Sequence, residues 1–166
     1  VFGVGNENAD IMIVGEAPGA HEDKQGEPFV GDSGQLLTEM IQTIGLKRND
    51  VFISNILKCR PPENRDPLPG EIESCTPYLL QQIKHVQPRV ILAVGHIAAQ
   101  YLLATELSLG QLRNNTHHYG ETKTPLLVTY HPAYLLRNPS AKVQAYEDLL
   151  RLQEIARPTE SIQITN

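Results

Sequence analysis

Cysteine is scarce in this chain: its 166 residues hold two, Cys59 and Cys75. So few thiols exclude a disulfide-rich secreted scaffold, fit a reducing, cytoplasmic compartment, and are too few to hold a metal unaided. Basic charge is also short. Fourteen Lys and Arg stand against 19 Asp and Glu, a formal net charge of -5, which argues against coating a polyanion but leaves room for a small basic groove. Long apolar runs are missing as well. None approaches the roughly 18 residues of a membrane span, so no membrane association is expected, and residues 1–6 lack the charged-then-apolar pattern of a signal peptide. No repeat, low-complexity tract or linker divides the chain, whose length suits one domain. That domain is expected over residues 1–156, with 157–166 as an unassigned tail. The first residue is Val1 rather than Met, which marks the chain as a candidate fragment.

What is present alternates. Residues 10–14 (Asp-Ile-Met-Ile-Val) form a short continuous apolar run ending at Gly15, the pattern of a strand buried on both faces. A Gly- and Pro-rich loop over 16–32 follows. A helix is predicted from Ser33, with Leu36, Leu37, Met40, Ile41 and Ile44 on one face and Gly45 closing it. Residues 51–57 read as a second strand. After a Pro-rich loop over 60–70, Ile72, Cys75, Leu79, Ile83 and Val86 fall on one helical face. Residues 90–94 make a third strand stopped by Gly95, and a short helix spans 97–103. The polar stretch 111–123 suits an irregular hairpin, in which His117 and His118 read as solvated surface. Residues 126–130 form the fourth strand, followed by His131-Pro132, and a last helix runs from after Pro139 to about Ala156. Such alternation predicts an α/β fold: a four-stranded parallel sheet flanked by helices on both faces, with its site at the carboxyl ends of the strands.

Polar residues in the loops after the strands converge at that edge. In Gly15-Glu16-Ala17-Pro18-Gly19 the two glycines permit a tight turn and close backbone approach to a ligand. It is neither a P-loop, since no Gly-Lys-Ser/Thr ending follows, nor a Gly-x-Gly-x-x-Gly fingerprint. Glu16 reads as a surface turn carboxylate or as a site group. Phe29 stands in the polar stretch from Glu22 to Gly31; it either stacks on a base or pins the loop to the core. Asn55, near the end of the second strand, is either a turn or cap residue or a donor–acceptor amide suited to the edge of an amide-containing heterocycle such as uracil. In His131-Pro132 the proline biases the histidine backbone away from helix, and a strand-end histidine is a candidate acid or electrostatic stabiliser.

Gly15-Glu16-Ala17-Pro18-Gly19, Glu22-Asp23, Pro28-Phe29-Val30-Gly31, Asn55 ahead of Lys58-Cys59-Arg60-Pro61-Pro62-x-Asn64-Arg65, and His131-Pro132-Ala133-Tyr134-Leu135-Leu136-Arg137 together resemble the family 4 uracil-DNA glycosylases. The resemblance runs from about Val4 to Leu150. It implies removal of uracil from DNA by hydrolysis of the N-glycosidic bond after base flipping, in base excision repair, by a monofunctional enzyme expected to be a monomer. Phe29 then resembles the ring that stacks on the flipped uracil, and Asn55 the amide that reads its edge. Glu22 resembles a carboxylate lining the uracil pocket, Glu16 the polar group near the attacking water, and His131 the histidine beside the uracil O2. Ala17 stands where better-known uracil glycosylases carry an aspartate, so whether Glu16 acts as a base or only orients water stays open.

Lys58, Arg60, Arg65 and Arg137 cluster in the motif loops, where phosphate contacts are useful. Leu136 resembles the family's minor-groove wedge; the alternative is that Leu135 and Leu136 form a helix turn packed on the core. The resemblance further implies a [4Fe-4S] cluster on four cysteines. Cys59 and Cys75 match the second pair of ligands, and the first pair is expected upstream of Val1. Without such a pair they are two free thiols. Arg113-Asn114 departs mildly from the Arg-Gly common in relatives, whereas retention of Cys59-Arg60-Pro61-Pro62 favours turnover over covalent trapping. Two competing readings stand beside the glycosylase: a non-catalytic nucleic-acid-binding module on the same scaffold, and an iron-sulfur redox or sensing protein.

Overall fold

The computed structural model of the chain describes residues 1–157; most of the predicted tail, 158–166, lies outside them. Strand β2 (Ile11–Gly15) is buried along its whole length, as its unbroken apolar run requires, and pairs in parallel with β3 (Phe52–Asn55) on one side and β4 (Val90–Val94) on the other. Strand β6 (Thr124–Thr129) extends the parallel set beyond β4. The predicted four-stranded parallel core is therefore present. Two short antiparallel strands, β1 (Val4–Gly5) against β3 and β5 (His117–Tyr119) against β6, widen it to a mixed six-stranded sheet of order β1-β3-β2-β4-β6-β5.

Alternation along the strands sends successive side chains to opposite faces. Ile11, Ile13, Ile53, Leu92 and Leu127 meet Leu37 and Ile41 of α2 (Asp32–Gln42), Leu135 of α6 (Pro132–Arg137), and Leu149 and Leu152 of α7 (Lys142–Ala156). Met12, Val14, Phe52, Ile91 and Val128 meet Leu79 and Val86 of α3 (Pro69–Val86), Ala98 and Leu102 of α4 (His96–Leu103), and Leu112 of α5 (Leu109–Leu112). The two apolar layers make the three-layer sandwich. The loop predicted over 16–32 is not wholly irregular, since it contains the short helix α1 (Ala20–Gln25). No apolar face announced that helix, and none of its residues is buried.

The chain passes from β2 to β3, then jumps back across β2 to β4. Such a reversal splays the connections apart and opens a crevice at the carboxyl ends of the two strands on either side. Here those strands end at Gly15 and Val94. Among the described residues no helix is long and apolar enough to cross a membrane.

Candidate active site

A cleft of about 790 Å³ opens at that reversal, lined by Glu16, Glu22, Phe29, Asn55, His131 and Arg137 among others. Asn55 ends β3 directly opposite Gly15 of β2. Its side chain is buried, and its Oδ1 has no hydrogen-bond partner among the described residues. An unsatisfied buried amide oxygen costs about 1–3 kcal/mol, so its place in a cleft marks it as waiting for a donor. Gly15 makes room for it: a Cβ there would stand 2.6 Å from Asn55 Oδ1 and 2.5 Å from Cζ of Phe29.

Phe29 is buried, so it does help to pin its loop. Its ring also walls the cleft, with the His131 imidazole 5.7 Å away and tilted by 31°. Its backbone adopts φ 54°, a left-handed conformation strained for a bulky residue. Three contacts hold it there. The Arg48 guanidinium donates to the carbonyls of Pro28 (2.8 Å) and Phe29 (3.0 Å). The Glu22 carboxylate accepts from the backbone N–H of Gly19, Val30 and Gly31 at 2.8–2.9 Å. Gly34 of α2 lies so close beneath Phe29 that a Cβ would overlap its carbonyl. Glu22 thus borders the cleft with its carboxylate already engaged: burial pushes its pKa up, but the bonds from Val30, Gly31 and Gly19 outweigh this and bring it down. Arg48 and Gly34 have no signal in the sequence, because each serves a backbone brought to it by folding.

His131 caps the N-terminus of α6, its Nδ1 accepting from the N–H of Ala133 at 3.0 Å. Burial, helped by the Arg137 charge, lowers its pKa to about 4. The ring is therefore neutral at pH 7, and because Nδ1 accepts, the proton sits on Nε2. Glu16 shows the opposite shift: burial, reinforced by Asp66, raises its carboxyl to about 7. A neutral imidazole donor and a carboxylate titrating near neutrality share one cleft.

The basic residues divide. Arg137 is exposed on the cleft wall. Arg65 also borders the cleft, with its guanidinium paired to Glu71 at 2.6 Å. Arg60 donates to Asn64 at 2.7 Å and faces a separate pocket. Lys58 is no phosphate ligand. It is buried at 8% exposure, where its ammonium donates to Ser54 Oγ, Gln82 Oε1 and the carbonyls of Asn55 and Phe2. Its long apolar stem lets the sequence disguise it as a surface cation. Leu135 and Leu136 also separate, the first fully buried and the second 46% exposed. His118 is exposed, whereas His117 is half-buried with Nε2 against the Leu112 carbonyl at 2.8 Å, which corrects the solvated reading for that member of the pair.

Cys59 and Cys75 are free and open onto one pocket of about 260 Å³, beside Arg60 and Ser74. Among the described residues no group of three or more His, Cys, Asp or Glu is arranged to hold a metal.

A model of the uracil DNA glycosylase superfamily matches residues 2–151. The chain is 43% identical over 162 residues to a type-4 uracil-DNA glycosylase of Archaeoglobus fulgidus, covering 93% of this chain and 81% of the relative. It is 46% identical over 157 residues to the Pyrobaculum aerophilum type-4 protein, covering 90% of this chain and 79% of the relative. The chain belongs to the type-4 uracil-DNA glycosylases. A type-5 uracil-DNA glycosylase of the same Pyrobaculum species is more distant, 35% identical over 114 residues covering 60% of this chain. The α/β fold with a parallel core, predicted from the alternation of strands and helices, is that of a member of this superfamily.

Proposed function

We propose that the chain is a monofunctional uracil-DNA glycosylase that hydrolyses the N-glycosidic bond of a flipped uracil nucleotide, in base excision repair, with Asn55, Phe29, His131 and Glu16 as its working side chains. The unpartnered buried Oδ1 of Asn55 carries this reading. An acceptor is what uracil N3–H requires, and the amide's Nδ2 offers a donor to the neighbouring O4. Cytosine presents an unprotonated N3 and an amino group at the same positions, so it meets acceptor with acceptor and donor with donor. Phe29 supplies the flat wall on which the ring stacks, and Gly15 allows the ring to lie against the strand end.

Bond breaking leaves negative charge on the uracil ring, largely at O2, while the sugar becomes cationic. The neutral His131, its Nε2–H fixed by the Ala133 bond, donates to that oxygen. A pre-placed donor of this type contributes on the order of 10²–10³ in rate. Glu16, ionised above about pH 7, takes the proton from the water that attacks the sugar. Glu22 holds the loop of Phe29 in place. Arg65 and Arg137 border the cleft where phosphates flank the flipped nucleotide, Arg60 lies further out, and Leu136 projects as the wedge filling the vacated stack. All these groups come from one chain, so a monomer of a single domain over residues 1–156 suffices. A DNA substrate and reduced thiols suit the cytoplasm.

A [4Fe-4S] cluster takes four cysteine ligands. Cys59 and Cys75 fit half of that set, since both thiols open onto one pocket. The Val1 nitrogen lies 2.7 Å from the Lys58 carbonyl, so any chain preceding Val1 would enter beside Cys59, within reach to bring the other two ligands. When bound, the cluster would cross-link the Cys59 loop to α3. Hydrolysis of the glycosidic bond transfers no electrons, so the residues of the cleft carry the reaction.

Incubation with an oligonucleotide holding one deoxyuridine, followed by alkali, is expected to cut the strand at that position. Asn55→Ala and His131→Ala should each slow release by at least about 10²-fold. Tight binding by the wild-type protein without uracil release would instead establish the non-catalytic module, and wild-type rates in both variants would remove the site assignment.

A further inference from the structure

Tyr134 lies one turn beyond His131 in α6, lines the same cleft, and keeps 39% of its surface exposed. Its ring lies parallel to that of Tyr130, 5.0 Å between centroids and 10° between planes. The guanidinium of Arg113 lies over the Tyr130 ring at 4.7 Å. Arg113 is itself buried and held by Asp148 through two bonds of 2.9 and 3.1 Å; Thr129 completes that carboxylate at 2.7 Å. A buried ion pair of this kind is weak evidence for stability, because desolvation offsets most of the attraction. Its geometric effect is definite. It fixes a stack of Arg113, Tyr130 and Tyr134 from the core to the cleft wall, where the last ring stays 39% exposed.

From this stack we infer that Tyr134 is a nucleobase-binding platform, taking the base next to the extruded uracil on the same strand. The inference rests on the uracil-DNA reading above and adds to it a second aromatic subsite. Every base has a π-face, so an exposed, immobilised ring binds bases without regard to sequence. Position selects which base. Residues 131 and 134 are separated by about 4.5 Å along a helix axis, close to the roughly 3.4 Å step between stacked bases. Extrusion of the uracil takes from its neighbour the aromatic face it had stacked on, which an aliphatic wedge such as Leu136 does not replace. Because the Tyr134 ring is already locked against Tyr130, little side-chain freedom is lost on binding.

The test is a cycle between protein and DNA. Single-stranded oligonucleotides carry uracil on a 2′-fluorinated, cleavage-resistant sugar, with the 5′ or the 3′ neighbour either intact or replaced by an abasic tetrahydrofuran. Kd is measured for the wild type, Tyr134→Ala, Tyr134→Phe and Tyr134→Leu. Loss of one aromatic–base stack weakens binding about 5- to 150-fold. Tyr134→Ala and Tyr134→Leu should lose that much on intact DNA and nothing further when the neighbouring base on one side is absent, while Tyr134→Phe keeps wild-type behaviour. Tyr134→Leu retains an apolar cover over Tyr130, so it carries the test if the alanine variant fails to fold. Additive losses on both sides, or a leucine variant that binds intact DNA like the wild type, would overturn the proposal. The oligonucleotide is never cleaved, so failure here is separate from failure of the uracil-release assay.

Discussion

Glu16 and His131 sit a few residues from buried strands, and burial drives their pKa values in opposite directions, to about 7 and about 4. The same desolvation disfavours the carboxylate at one and the imidazolium at the other. The consequence for activity is one ascending limb. Because His131 is neutral throughout the working range, kcat/KM should rise with pH through a midpoint near 7 as Glu16 ionises, and Glu16→Gln should abolish that limb. A midpoint unchanged by the substitution would remove Glu16 as the base and leave it to orient water. The consequence for stability follows by linkage. Between about pH 4.5 and 7 the folded state keeps a proton on Glu16 that the unfolded chain has released, so this group lowers stability as pH rises through that window. Glu16→Gln is therefore expected to raise Tm at pH 8 but not at pH 4, measured by calorimetry. His131 acts in the other direction: its depressed pKa contributes stability above about 6.5 that is lost as pH falls toward 4.

Among the elements, the loop between β2 and α2 is the most demanding. It places a phenylalanine at φ 54°, a conformation costing about 1–3 kcal/mol, and offsets that strain with Arg48, Glu22 and the missing Cβ of Gly34. Hydrogen bonds to a charged group contribute about 1.5–3 kcal/mol each. Arg48→Ala is thus expected to destabilise the fold by about 2–3 kcal/mol in urea titrations and to raise KM for uracil-containing DNA as the stacking wall loosens. An unchanged KM would show that Glu22 and Gly34 hold Phe29 without it. The parallel strands, helices α2, α3, α4 and α7 and the motif loops were legible from apolar runs, 3.6-residue periodicity and turn residues. Helix α1 was not, because it buries none of its residues and so leaves no periodic trace. Strand β1 was not either: two residues pairing with β3 are too few for any pattern.

For the whole molecule, a net charge of -5 means that DNA is held through a local patch. Of the four basic residues grouped by sequence, Lys58 is buried, Arg65 is paired with Glu71 and Arg60 bonds Asn64, which leaves Arg137 as the cation on the cleft wall with the fewest ties. A protein gripping so few phosphates should show a shallow dependence of log K on log salt, with a slope of about -1 to -3 on single strands. Arg137→Ala should reduce that slope by about 0.7. A steep slope, beyond about -6, would mean that basic residues outside the cleft also contact the backbone.

Strand order along the chain, the loop motifs and the identities of Glu16, Phe29, Asn55 and His131 were readable from residue type and spacing, since local sterics and periodicity are written in neighbouring residues. Their roles were not. Whether Asn55 caps a turn or waits for a ligand, whether Lys58 meets phosphate or the core, and whether Leu135 or Leu136 faces solvent depend on which groups from distant parts of the chain are packed alongside. Burial and hydrogen-bond satisfaction are properties of that surrounding shell. The same holds for the Arg113–Tyr130–Tyr134 stack, whose members stand up to 21 positions apart and acquire a common function only where the sheet and its last two helices bring their faces together.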